Sequence, residues 1–499
     1  MSKDLQELKD LLAEIADING AIAVLGWDQQ TYMPSGGAET RGEQLGTLAK
    51  LSHDKLTDPR IGELAEKLAA QGFADPDSDD ARLVKVVLRE YQKAKKVTSA
   101  WVAEYAQVTT LAQDAWVAAR QDSNFSMFQP HLEKVIALRQ QYSDFFKPYD
   151  HIYDPQLDDF EPGLKTSEVK QIFAVLREEQ VKLLRAIAGR PQVDNSFLKT
   201  FYDLEQQKSF GMEVIQLFGY DFKMGRQDLA AHPFSTTFGY GDVRITTRFL
   251  NDDGASGLFS SMHESGHAMY EQGISEKLRR SPLFGGASMA IHESQSRMWE
   301  NLVGRSREFW TFFYPKFQAA FPAQLGNVSL DMFYKGINRV QPSLIRVEAD
   351  EATYNLHVML RLEIEIALLE GAIKAKDLPA YWNSKMQEYL GVTPENDRQG
   401  VLQDVHWSAG LVGYFPTYAL GNLVSVQLWE KVMEQIPDLP NQIRGGHFSE
   451  LLGWLRTNIH QHGCKFEPQE IVQKVAGSKI TPEPYIRYLK KKYSEIYGL

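Results

Sequence analysis

The sequence predicts a mainly α-helical protein, a large helical body with a small β-sheet or hairpin set just before its most informative motif. Three observations carry this. Apolar residues keep helical spacing through about residue 220, the pattern turns to alternation between His232 and Asn251, and helical spacing then resumes to the end.

The first stretch, MSKDLQELKDLLAEIADING, is an amphipathic helix rather than a signal peptide, because charges recur through it and no uninterrupted apolar core appears. A cytoplasmic protein is expected. Leu132, Val135, Ile136 and Leu138 keep the spacing of a further helix, and Val169, Ile172, Phe173, Val175 and Leu176 that of another. Loops are expected at Asp58-Pro59, at the acidic run from Ala74 to Asp80, at Asp154-Pro155 and at Glu161-Pro162-Gly163. None is long enough to be a flexible interdomain linker. In the alternating segment, Val243, Ile245 and Thr247 oppose Arg244, Thr246 and Arg248 behind a Gly-Tyr-Gly-Asp turn. Beyond it, Thr393-Pro394 and Thr481-Pro482 read as N-cap and first-turn signals.

The 499 residues are 43% hydrophobic and 24% charged, which suits a globular protein with a large core. A net charge of -11 lacks the basic footprint that nucleic acid needs, so a small or peptidic partner is expected. The one cysteine, Cys464, cannot form an intramolecular disulfide and reads as a structural or incidental thiol. Ser408 to Trp429 carries no charge and is long enough to span a bilayer. Pro416, Asn422, Gln427, Gly410, Gly413 and Gly421 interrupt it, so it reads as a buried segment near a site and no membrane contact is expected.

The informative motif is His263-Glu264-Ser265-Gly266-His267. On a helix, residues four apart share a face one turn apart, so both imidazoles can reach one ion. Zinc takes neutral imidazole nitrogen readily, and Glu264, beside the first ligand, can take a proton from the attacking water. The letters alone do not decide it, since two histidines on a partly buried helix with an ordinary glutamate satisfy them equally. A catalytic zinc takes three protein ligands and keeps one position open. Glu293 is the choice for the third, on a second, antiparallel helix returning after Ser281-Pro282 and Gly285-Gly286; Glu271, Glu276 and Glu300 compete.

Taken with other motifs, the chain resembles the Taq-type thermostable metallocarboxypeptidases. The matching stretches are His232-Pro233-Phe234, Asp242-Val243-Arg244-Ile245-Thr246, His263 to His267, His292-Glu293-Ser294-Gln295, Ile345 to Asp350 and Gly400 to Trp407. The resemblance implies one catalytic domain over 1–499, with a helical part to about 230 and a metal-site part from about 231. It implies a deep substrate groove, as in neurolysin-like zinc peptidases, and a cytoplasmic homodimer. Members remove single residues from free peptide C-termini with broad tolerance and usually refuse proline. Carried over by position, His263, His267 and Glu293 are the metal ligands and Glu264 the base, with zinc expected and cobalt able to substitute.

The other motifs fit that chemistry. A guanidinium is the forked donor a free α-carboxylate accepts best, which makes Arg346 the candidate clamp; pairing with Glu348 or Asp350 is the plainer alternative. Arg244, with Arg248 and Asp242, resembles the part of the pattern that closes one end of the groove. His406 and Tyr418 resemble the histidine and tyrosine that serve the transition state in neurolysin-like peptidases, with Tyr414 a rival or groove-lining residue. His232 shapes the groove without a catalytic step. One departure stands out. Many such peptidases carry an acid four residues after the glutamate ligand to orient a histidine, and here that position is Arg297. Asp350 or Asp404 is the expected substitute. Two other functions compete, a zinc oligoendopeptidase acting on short peptides and a non-enzymatic helical peptide-binding protein.

Overall fold

Helix α1 (Lys3–Thr31) begins where the Ser2 hydroxyl accepts from the Leu5 amide, so the amphipathic start is present with its cap. The computed structural model describes residues 2–499. Leu5, Leu8 and Leu12 of α1 meet Ile61, Leu64, Leu83, Val84 and Val87 from helices Pro59–Gln71 and Asp79–Lys96 in a small core of their own. Ile274, Leu278 and Leu283 close it. Farther along, α1 lies on the sheet, where a Cβ at Gly20 would stand 2.7 Å from the Phe238 carbonyl oxygen.

The larger core draws on residues from 112 to 497. Helix α2 (Phe125–Asp144) and helix Thr166–Ala188 bury Leu132, Val135, Ile136, Val169, Phe173 and Leu176 as their spacing predicts, while Val175 faces solvent. Asp154-Pro155 lies in a short helix, Asp154–Asp158, and not in a loop, because a proline without its N–H is tolerated in a first turn.

Three strands form the sheet, β1 (Gln227–Leu229), β2 (Ser235–Gly239) and β3 (Asp242–Thr247), in the order β1-β3-β2. β2 and β3 are the expected hairpin, antiparallel with Ser235 opposite Ile245 and Thr237 opposite Val243. Its turn uses Gly239 and Gly241 at φ 139° and 90°, a region that disfavours any residue with a Cβ. β1 runs parallel to β3, and its three residues are too few to show alternation.

Helices α3 (Ser256–Gln272) and α4 (Met289–Arg297) follow, the latter running on as a π-helical turn over Met298–Val303. Their contacts pair 263 with 300, 267 with 292 and 271 with 292, the descending order of an antiparallel pair. Helix α5 (Tyr354–Leu369) is buried all round except at Glu363. Helix α6 (Pro416–Gln435) packs on α4, α5 and the final helix α7 (Glu483–Tyr497). The uncharged segment is therefore interior. Among the described residues, no helix is long and apolar enough to cross a membrane.

Pro482 occupies the N-cap position of α7 without a capping hydrogen bond, one residue later than the expected Thr481, and Thr393-Pro394 starts no helix. Residues 391–415 run as turns and irregular backbone, and the Thr393 hydroxyl donates to the Gln387 side chain instead of capping. The stretch is tied to α5, with the Trp407 indole N–H and the Gly413 amide both donating to Glu365. Burial pushes the Cys464 thiol up to about 12, and it donates to the Pro282 carbonyl, which fits an inert structural residue.

Candidate metal centre

Helix α3 places His263 and His267 one turn apart, with side chains 18% and 15% exposed. Their Nε2 atoms lie 3.5 and 3.3 Å from Glu293 Oε2 on α4. Donors bound tetrahedrally to zinc at 2.0–2.1 Å are about 3.3 Å from one another, so the three atoms fit such an ion. All lie within 4.8 Å of one another, and three protein donors leave one position open.

What stands behind the donors fixes their direction. His263 Nδ1 is 2.9 Å from Glu300 Oε2, which places the proton on Nδ1 and turns the Nε2 lone pair to the site. His267 Nδ1 is 2.7 Å from His292 Nδ1, and His292 Nε2 is 2.8 Å from Glu271. The orienting partners are thus Glu300 and the His292–Glu271 pair, not Asp350 or Asp404. Asp350 instead accepts from the Gln341, Ala352 and Thr353 amides, and Asp404 binds arginines. The antiparallel crossing explains this, since it carries residue 300 back to the level of residue 263. Glu271 and Glu300, competitors for the third ligand, stand behind the histidines.

Arg297 donates to Glu293 Oε1 at 2.7 Å and to Glu300 at 3.1 Å. One oxygen of Glu293 is thereby occupied and the other faces the histidines. Burial opposes the charged form of Glu293, yet Arg297 holds it well below the usual carboxylate range. Glu264 is buried, and loss of water pushes its carboxyl up to about 7. A cation beside it pulls the other way.

Two glycines let α4 come this close. A Cβ at Gly266 on α3 would stand 2.6 Å from the Ser296 Cα, and one at Gly421 on α6 would stand 2.6 Å from Glu293 Cβ. Tyr418, one turn before Gly421, faces the same way.

A second cluster adjoins the first. His406 Nε2 and Tyr418 Oη are 3.3 Å apart, and the Tyr414 ring lies 5.6 Å from His406 and 5.3 Å from Tyr418. Burial drives His406 down to about 3 and Tyr418 well above its ordinary value, so both are neutral. Arg346 is buried and donates twice to Asp404 Oδ1, at 3.0 and 2.9 Å, and once to Tyr354 Oη at 3.0 Å. Its partner is Asp404 rather than Glu348 or Asp350. Arg297 lies 4.5 Å over the same Tyr354 ring, so one arginine and one tyrosine join the two clusters.

Arg244 sits apart, doubly bonded to Asp242 at 2.8 Å and held between Trp27 of α1 and Phe238 of β2. Arg248 makes one long contact, 3.5 Å to the Ala231 carbonyl, and His232 is exposed. Trp27 carries no local signal of this contact, which depends on α1 returning to the sheet.

Residues 7–493 match the family described as carboxypeptidase Taq (M32) metallopeptidase. This chain belongs to that family. The thermostable carboxypeptidase 1 of Thermus thermophilus is 42% identical over 99% of both chains, and the carboxypeptidase 1 of Bacillus subtilis 40% identical, again over 99% of both. The crystal structure of the M32 carboxypeptidase from Deinococcus radiodurans R1 matches all of both chains with a TM-score of 0.97 at 39% identity. Trypanosoma cruzi metallocarboxypeptidase 1 matches at 0.92 and 31% identity, over 98% of this chain and 99% of that one. This M32 protein is accordingly a metallocarboxypeptidase that uses a divalent metal, and its helical fold with a three-stranded sheet is shared with these relatives.

Proposed function

We propose that this M32 enzyme is a zinc carboxypeptidase that releases single residues from free peptide C-termini, with broad tolerance but not for proline. The observation that carries it is the set of three donor atoms, from His263, His267 and Glu293, drawn together while both Nδ1 atoms are engaged behind them. A divalent ion there supplies Lewis acidity toward water and the scissile carbonyl. Glu264 takes the proton of the attacking water and passes it to the leaving amine. His406 and Tyr418 donate toward the carbonyl oxygen as it gains charge, and their neutral state suits that task.

Arg346 holds the substrate α-carboxylate. Of its five N–H groups, Asp404 and Tyr354 take three, which leaves two for a ligand. Tyr414 lines the bound residue's side, and Arg244 with Arg248 closes the groove at the sheet. The family resemblance adds a single catalytic domain, a homodimer, a cytoplasmic setting and cobalt as a working substitute.

Product analysis of an unblocked peptide with the metal-loaded protein tests this directly. Stepwise loss from the C-terminus is expected, and a C-terminal amide should stop it. Cleavage of the amide at internal bonds would make the protein an oligoendopeptidase. No bound zinc after gentle purification, with no hydrolysis on adding it, would overturn the choice of zinc.

A further inference from the structure

Asp404 does not belong to Arg346 alone. Its other oxygen, Oδ2, accepts from Arg361 Nε at 2.7 Å and lies 2.5 Å from Arg361 Nη2. Arg361 is wholly buried on α5, where it also donates to Gln403 Oε1 at 2.8 Å and to the His357 carbonyl at 2.6 Å. Gln403 Oε1 in turn accepts the Arg346 amide at 2.9 Å. Two guanidiniums therefore share one carboxylate, for a net charge of +1.

That excess matters for a clamp. An Arg346–Asp404 pair on its own is neutral and offers a substrate carboxylate little attraction, while Asp404 repels it. Arg361 also faces the Trp382 indole, 4.6 Å away, and the Phe415 ring, 5.3 Å away, both uncharged, and it acts on His357 and His406, which burial keeps neutral. Burial and the neighbouring Arg346 draw Arg361 down to about 10, still charged near neutrality because Asp404 supports it. Substrate cannot reach Arg361, so any effect on substrate passes through its neighbours.

Resting on the reading of Arg346 as the carboxylate clamp, we propose that Arg361 is a positioning residue. It neutralises Asp404 from behind, so that Asp404 orients Arg346 without cancelling its charge and the triad presents one net positive charge to the α-carboxylate.

The test uses the metal-loaded full chain, an unblocked dipeptide substrate, and N-acetylphenylalanine with its amide as inhibitors. Arg361→Met is expected to raise KM and weaken inhibition by the acid about tenfold or more, with kcat within about threefold, because a uniformly bound group acts on KM. Inhibition by the amide should not move. Arg361→Lys, which restores charge without the fork, should recover most of the loss. So should the double variant Arg361→Met with Asp404→Asn, in which Arg346 regains an uncancelled charge. The proposal fails if Arg361→Met leaves KM unchanged, or if kcat falls with it and neither charge restoration helps. Should Arg361→Met not fold, Arg361→Gln takes its place, a tenfold rise in KM that Arg361→Lys does not show supporting the proposal and wild-type KM overturning it. Arg346→Gln keeps the two ideas apart. If it leaves KM and acid inhibition unchanged, the clamp itself is wrong; if it raises both while Arg361→Met does not, only the positioning idea is lost.

Discussion

Glu264→Gln keeps the side chain's size and removes its basicity. Bound metal should stay at wild-type content by elemental analysis, while kcat falls by about two to four orders of magnitude. Turnover retained in a metal-replete sample would remove Glu264 from the mechanism. Behind the donors, Glu300→Ala and His292→Ala should each weaken metal binding by about 10- to 100-fold in competition with a chelator. Unchanged affinity would mean that the hydrogen bonds at 2.9 and 2.7 Å do not orient the histidines. Residue types and spacing made His263, Glu264 and His267 legible, and position made Glu293 the choice among four acids. They could not separate the proposed ligand from the acid behind it, since Glu293 and Glu300 lie seven residues apart on one face and only the crossing with α3 tells them apart. Arg297 was legible as a departure, but its partner Glu293 was not.

At the scale of elements, α4 is held between α3 and α6 by two points with no side chain. Gly421→Ala should cost about 1–3 kcal/mol by overpacking and should push Glu293 out of line, so both melting temperature and metal affinity should drop. Gly453→Ala is the matched control, because it lies in the helix Ser449–Asn458 and its Cβ would meet nothing within 4 Å. It should leave metal affinity alone and stabilise the protein slightly. If both variants keep metal equally well, the close approach at Gly421 does not govern the site. Periodicity found the hairpin and the long helices because each repeats its pattern several times. It missed β1, which is too short to repeat, and misread Thr393-Pro394, because that pair opens loops as well as helices.

Across the whole molecule, one buried acid should leave its mark on stability. Glu161 receives the Ala290 amide at the start of α4, yet burial pushes its carboxyl up to about 8. A raised folded value means a stabilising contribution complete below the unfolded value near 4.5 and lost as pH rises to about 8. Thermal stability should therefore decline across that window, with a contribution on the order of a few kcal/mol from this group. Glu161→Gln should flatten that decline in melting curves, and an unaltered slope would contradict it. Glu365, pushed up to about 7, and Asp350, to about 6, act in the same sense and set the slope that remains. Stripping the metal should lower the melting point and abolish hydrolysis, and zinc or cobalt should restore both, since a ligand bound only by the folded state stabilises it by mass action.

The late place of α6 in the chain has a consequence for the cell that makes it. When residue 400 is joined to the growing chain, His263, Glu264, His267, Glu293 and Arg346 have all been translated, but His406, Tyr418 and the helix on which α4 rests have not. A growing chain thus carries the proposed metal ligands before the groups proposed to act on the substrate carbonyl. On those proposed roles, a chain ending at residue 400 should release no amino acid from an unblocked peptide, and activity from it would remove His406 and Tyr418 from the reaction.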